Sequence, residues 1–218
     1  MVRRFIWPAG GTLATAREGH QAFLLPNNNN VLITGGTSAG TALASSELLT
    51  PQVSTSSGAW SYNVVATGAM TMARAGASGW VDQLNGPTSV ALPKPGLLFV
   101  GGGTDASAAT LRSIEAYGYA IVQTDQPDYP PGTTVNITGS GFQPNENVDI
   151  TLVELPLIDT HGPYTVQADG NGNISDASFT TDSHDANVRF WLIAAGEQSK
   201  LFAQNTFTDA TNVATSTM

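Results

Sequence analysis

The chain contains no cysteine, which removes disulfides, thiolate nucleophiles, thiolate zinc sites and iron–sulfur clusters together. Charge is scarce too. Only 11% of the 218 residues carry one, against roughly 25% in ordinary soluble proteins, so coiled coils and long charge-laced surface helices are excluded. Positive charge is the scarcer sign, with eight Lys and Arg against 17 Asp and Glu. A net charge of −9 leaves no basic surface able to neutralise several phosphates, which argues against nucleic acid as a partner. No apolar run approaches the ~18 residues of a membrane span. The start, Met1-Val2-Arg3-Arg4-Phe5-Ile6-Trp7-Pro8, has a basic pair without the apolar stretch of an export signal. Histidine occurs three times, at His20, His161 and His184, which confines acid–base chemistry to few positions.

What the chain does have is 23 Gly, 12 Pro and many short β-rich runs bounded by Gly, Pro, Asn and Ser; the pattern reads as all-β. Residues 20–25 and 31–34 read as two strands joined by Pro26 and four asparagines. Asparagine tolerates positive φ, so that run reads as a turn and not as a recognition element. The chain also repeats itself. Thr15-Ala16-Arg17-Glu18-Gly19 returns as Met72-Ala73-Arg74-Ala75-Gly76, and Leu32-Ile33-Thr34-Gly35-Gly36-Thr37 as Phe99-Val100-Gly101-Gly102-Gly103-Thr104. Ser46-Glu47-Leu48-Leu49 is echoed by Ser113-Ile114-Glu115-Ala116-Tyr117. The first pair is offset by 57 positions and the second by 67, which places an insertion of about ten residues in the loop-like stretch 85–95.

Each copy reads as strand, hairpin, strand ending in Gly-Gly, loop, strand with an acidic residue, and a last strand with an aromatic such as Trp60. This resembles the bacterial Kelch-type propeller repeat, with repeat 1 at about 8–68 and repeat 2 at about 69–120. The first copy carries the family's Ala-Arg, His20 and Gly35-Gly36, whereas the second has Ala77 in place of the His and a stretched hairpin. The resemblance implies two propeller blades over 1–120 and is silent about chemistry. It also implies a structural, hydrogen-bonded role for His20. Galactose-oxidase-like chemistry, known on such propellers, is implied to need a Cys–Tyr cross-link and is excluded here.

After Tyr119 the composition shifts. Val148, Ile150 and Leu152 alternate as in a strand with one buried face. Residues 164–168 and 174–179 flank Asp169-Gly170-Asn171-Gly172-Asn173 and read as a hairpin, and 188–194 and 200–207 as two further strands. Six or seven short strands in about ninety residues suggest a β-sandwich over 121–210, followed by a linker-like tail at 211–218. The segment resembles the immunoglobulin-like modules that follow Kelch repeats in large exported proteins of environmental bacteria. The matching residues are Asp128-Tyr129-x-Pro131-Gly132, Gly139-Ser140-Gly141-Phe142-x-Pro144, Ala168-Asp169-x-Asn171-Gly172-Asn173 and Thr206-Phe207-Thr208-Asp209.

Propellers close with about four to eight blades, and this chain offers two. The expectation is a piece of a longer exported protein, several chains pooling blades, or a pair capped by its own sandwich. Unpaired strand edges and bare blade faces point to homo-oligomers in each case.

Candidate chemistry is thin. His20, His161 and His184 are the candidate catalytic bases of a small hydrolase at an interdomain or oligomer cleft. Asp159, His161, Asp182, His184 and Asp185 are the densest candidate ligands, and oxygen with imidazole suits a divalent ion such as calcium. No other cofactor is expected. Asp169 to Asn173 imitates the start of an EF-hand loop but has Ile174 and Thr180 where Gly and Glu are required, so it reads as a turn. Trp7, Trp60, Trp80 and Trp191 would stack on sugars if exposed. The leading expectation is a non-catalytic structural, adhesive or ligand-binding module of an exported bacterial protein, facing a protein or polysaccharide surface outside the cell or on it. Carbohydrate binding and hydrolysis are the alternatives.

Overall fold

The computed structural model describes residues 11–81, 95–184 and 188–209, and its regular elements are all strands. The first six are β1 (Gln21–Leu24), β2 (Val31–Thr34), β3 (Thr37–Ser38), β4 (Thr41–Ala42), β5 (Ser46–Val53) and β6 (Trp60–Thr67). β1, β2, β5 and β6 lie side by side in an antiparallel meander, and β3 with β4 forms a small ribbon on the link between β2 and β5. Next, β7 (Ser78–Val81), β8 (Gly96–Gly101) and β9 (Ile114–Tyr119) form a three-stranded sheet. The insertion read at 85–95 lies outside the described residues except for Pro95.

Period-two alternation decides how these sheets meet. Phe23, Leu32 and Leu48 stand opposite one another across β1, β2 and β5. They share an apolar cluster with Ala77, just before β7, and with Leu98 and Val100 of β8. A Cβ on Gly79 would come within 2.7 Å of the Phe23 ring, so glycine lets the two sheets approach. Leu32 and Leu98 are fully buried there, each worth about 1.5–3 kcal/mol relative to exposure.

Where two propeller blades are expected over 1–120, the structure shows only an all-β arrangement, two antiparallel sheets packed together, and among the described residues no ring of sheets closes. The second sheet has three strands because the chain leaves β9 at Tyr119 and enters another body at Ile121.

That body comprises β10 (Ile121–Thr124), β11 (Asp128–Tyr129), β12 (Ile137–Ser140), β13 (Asn147–Leu155), β14 (Thr160–Gln167), β15 (Ile174–Asp176), β16 (Arg189–Gly196) and β17 (Phe202–Asp209). β10, β12 and β15 make one sheet; β11, β17, β16, β13 and β14 make the other. Between them lies the largest core, where Tyr129, Ile137, Ile150, Leu152, Phe190 and Leu192 are all fully buried. The alternation of Val148, Ile150 and Leu152 points them all into it. The hairpin expected between 164–168 and 174–179 is absent. β14 pairs with β13 and β15 with β12, so the turn between them crosses from one sheet to the other. Asp169 caps that turn, its Oδ1 accepting the Asn171 and Asn173 amides, and such a cap serves a crossing as well as a hairpin.

Candidate functional site

Two copies of one ion-pair clamp hold the repeats. In the first, the Arg17 guanidinium donates to the Gly35 and Ser45 carbonyls, to Ser45 Oγ and, at 2.7 Å, to Glu47. In the second, Arg74 donates to the Gly102 and Ser113 carbonyls, to Ser113 Oγ and, at 2.7 Å, to Glu115. Each carboxylate also accepts two backbone amides, Ala14 and Thr15 for Glu47, and Thr71 and Met72 for Glu115. Burial pushes both carboxyls up, but the amides and the guanidinium outweigh it and hold them below the usual range. Gly36 and Gly103 complete the match: both have φ above +80°, and a Cβ on either would strike a backbone carbonyl at 2.5 Å.

The asparagine run joins the meander to the sandwich. Asn27 and Asn29 adopt positive φ, as a tight turn requires. Asn28, 2% exposed, reaches beyond the turn: its Nδ2 donates to the Ala120 carbonyl at 2.7 Å and to the Phe202 carbonyl at 2.8 Å. Val122 N donates to the Asn27 carbonyl and Gln204 N to that of Asn28. Sequence reading gave the turn and missed the contact, since nothing local distinguishes a solvated asparagine from one inserted between carbonyls.

A second seam lies further along. Pro51, in β5 beyond the residues paired with β2, gives its carbonyl to Gln204 Nε2. Val53 packs against Val153 and Trp191 on the outer face of the five-stranded sheet. Trp60 meets Trp191 edge to face at 4.8 Å. The uninterrupted apolar run Phe190 to Ala195 was the available signal that β16 is covered on both faces.

Between these seams opens a groove of about 510 Å³. Among the described residues the second sheet has no counterpart of β6, and the β5–β6 hairpin forms one wall of the groove there. Thr50, Gln52, Asn63 and Val65 form that wall, Tyr117 and Tyr119 of β9 the opposite one, and Asn28 and Asn30 lie at the base. Lys200, Leu201 and Phe202, from the β16–β17 turn, close one end. Glu146 pins this turn by accepting the Gln198 and Ser199 amides and Ser199 Oγ. Burial pushes Glu146 up, yet the Ser199 amide and hydroxyl with the Gln143 and Gln198 amides keep it below the usual carboxylate range. Asn30 Oδ1 is buried without a hydrogen-bond partner. The Tyr117 hydroxyl, pushed up by burial, shares a 2.7 Å hydrogen bond with Thr67 Oγ1. Among the described residues, Lys200 is the one charged residue of the lining, which contains no carboxylate or imidazole. A smaller groove of about 390 Å³ shares Gln52 and Phe202 with it and is lined by Gln204, whose Oε1 is likewise buried without a partner.

The residues singled out from sequence lie elsewhere. His20 is half-buried in the loop before β1, with its Nδ1 buried and lacking a partner. His161 sits on β14, its Nε2 3.0 Å from Glu154 Oε1 and its ring 4.7 Å from that of Phe179. Asp159 donates its amide to the same Glu154 carboxylate. His184 and Asp182 are exposed neighbours in the loop after β15, 3.3 Å apart, and Asp185 lies outside the described residues. The structure thus brings Asp159 and His161 to one carboxylate and Asp182 to His184. Among the described residues no three acidic or histidine side chains gather as a metal site would require. Trp60 and Trp80 are about half exposed, Trp191 is buried, and Trp7 lies outside the described residues.

No curated protein matches the chain. One family matches part of it, and that part is the sandwich: residues 118–208, from Gly118 in β9 to Thr208 in β17, match the macroglobulin-like domain family.

Proposed function

We propose that the chain is a non-catalytic ligand-binding module of an exported bacterial protein, held outside the cell or at its surface, and that its groove takes a neutral polysaccharide. The macroglobulin-like match supports a non-catalytic β-sandwich for the second half. For the first half, the duplicated clamp and the paired glycines favour Kelch-type blades. The carrying observation is the lining of the groove. Side-chain amides of Gln52 and Asn63, the Thr50 hydroxyl and the phenols of Tyr117 and Tyr119 offer hydrogen bonds and aromatic faces suited to a chain of hydroxyls. Among the described residues the same lining offers no carboxylate or imidazole, and His161, with its ring nitrogen 3.0 Å from the Glu154 carboxylate, is on the sandwich strand β14 with its ring against Phe179.

Calorimetric titration with short oligosaccharides of glucose, xylose and mannose tests this. At least one is expected to bind, Gln52→Ala and Asn63→Ala each to weaken binding about tenfold, corresponding to ~1.4 kcal/mol, and no sugar to be hydrolysed. Failure of every probe to bind folded protein, or hydrolysis abolished by His161→Ala, would overturn the reading.

A further inference from the structure

Among the described residues nothing covers the outer face of the second sheet. Trp80, Phe99 and Ala116 stand opposite one another across β7, β8 and β9. Trp80 is 54% exposed and stacks on Phe99 with ring centroids 5.2 Å apart, and Ile114 beside them is 61% exposed. An apolar row with that exposure needs an explanation.

The repeat supplies one. Trp80, Phe99 and Ala116 occupy in the second sheet the register positions that Phe23, Leu32 and Leu48 occupy in the first. Those three are the row by which the first sheet packs onto the second. The surface that receives them, Gly79, Leu98 and Val100, has its own counterpart in Ala22, Val31 and Ile33 on the outward face of the first sheet. There Ala22 is exposed and Val31 and Ile33 are half-buried. Among the described residues, one such pair of faces is thus joined internally and one of each kind is left uncovered.

We infer that a second copy of this chain docks by the same geometry, the Trp80 row of one copy lying on the Ala22, Val31 and Ile33 face of the next. Ala22 stands where Gly79 lets the Phe23 ring lie on the backbone, so the Trp80 ring rides about one methyl group further out. The contact is head to tail, each copy using two different patches, and such contacts build closed rings or open rows. With −9 per chain, salt strengthens the association by screening repulsion between copies.

Light scattering coupled to size exclusion decides it. The wild-type chain is expected to exceed its 22.6 kDa monomer mass, and Trp80→Arg and Ala22→Arg each to be monomeric with unchanged circular dichroism. Should Trp80→Arg fail to fold, Ile114→Arg on the same face replaces it. Mixing the two variants is the sharper step, because each keeps the face that the other has lost. A one-to-one heterodimer is expected from the mixture. A wild-type monomer at all concentrations, a variant that keeps the wild-type mass, or a mixture that stays monomeric would overturn the inference.

Discussion

Arg17 and Arg74 make the same bonds in two repeats, yet the two clamps differ in worth because their carboxylates differ in burial. Glu47 has a side chain 3% exposed and Glu115 one 20% exposed, while both guanidiniums are fully buried. Removing one partner of a buried pair strands the other charge, at about 3–5 kcal/mol. Arg17→Met is therefore expected to cost an amount in that range, and Arg74→Met less, because water reaches Glu115. Urea denaturation of both variants checks the order. The same carboxylates set an acid limit. Glu47, Glu115 and Glu146 are held below their ordinary value in the fold, so each adds stability above the unfolded-state pKa near 4.5. That stability is lost as pH falls through the folded values, and unfolding midpoints measured from pH 6 to pH 3 are expected to drop below about pH 4.5. At the alkaline end, burial and the Asp125 carboxylate push the Tyr129 phenol up to about 12. Its contribution is complete below pH 10 and fades as pH rises towards 12, so a second decline is expected in that window.

At the scale of elements, the turn between β1 and β2 carries most of the joint. Asn28→Ala leaves the Ala120 and Phe202 carbonyls without its amide, and an unmade buried hydrogen bond costs about 1–3 kcal/mol per group. A loss of ~2–4 kcal/mol is expected in thermal or urea unfolding, against under ~1 kcal/mol for Asn171→Ala, whose contribution to the Asp169 turn is a backbone amide. How far such elements were legible depended on the range of the interactions that define them. Strand existence followed from local alternation and turn residues, and the repeat from spaced motifs, so β1, β2 and β13 fall where composition places them. The link from 168 to 173 misled because an Asx turn is a local device, whereas the choice between hairpin and crossing is made by distant partners, β13 for one strand and β12 for the other. Pro51 is instructive in the same way. A proline mid-strand argues against an interior position, and β5 tolerates it because β2 pairs only with Ser46–Leu49, so no strand amide is needed on that side of Pro51, where its carbonyl accepts from Gln204 instead.

For the whole molecule, the groove was invisible in the sequence because the motifs its residues belong to, the asparagine turn and the repeat, mark elements and not the space between them. It exists because, among the described residues, the second sheet has no fourth strand, and through the docking of three segments far apart in the chain. Histidines and aspartates drew attention as the reactive residue types, but a binding surface for hydroxyl groups is made of amides, hydroxyls and phenols that any β protein has in number. The most direct test is an amide-shift map of the isotope-labelled chain titrated with the tightest-binding of the short oligosaccharides. The largest shifts are predicted at Gln52, Asn63, Tyr117, Tyr119 and Lys200, with His161, His184 and the Asp169 turn unmoved. Shifts centred on those histidines, or spread evenly over the surface, would contradict the groove as the binding site.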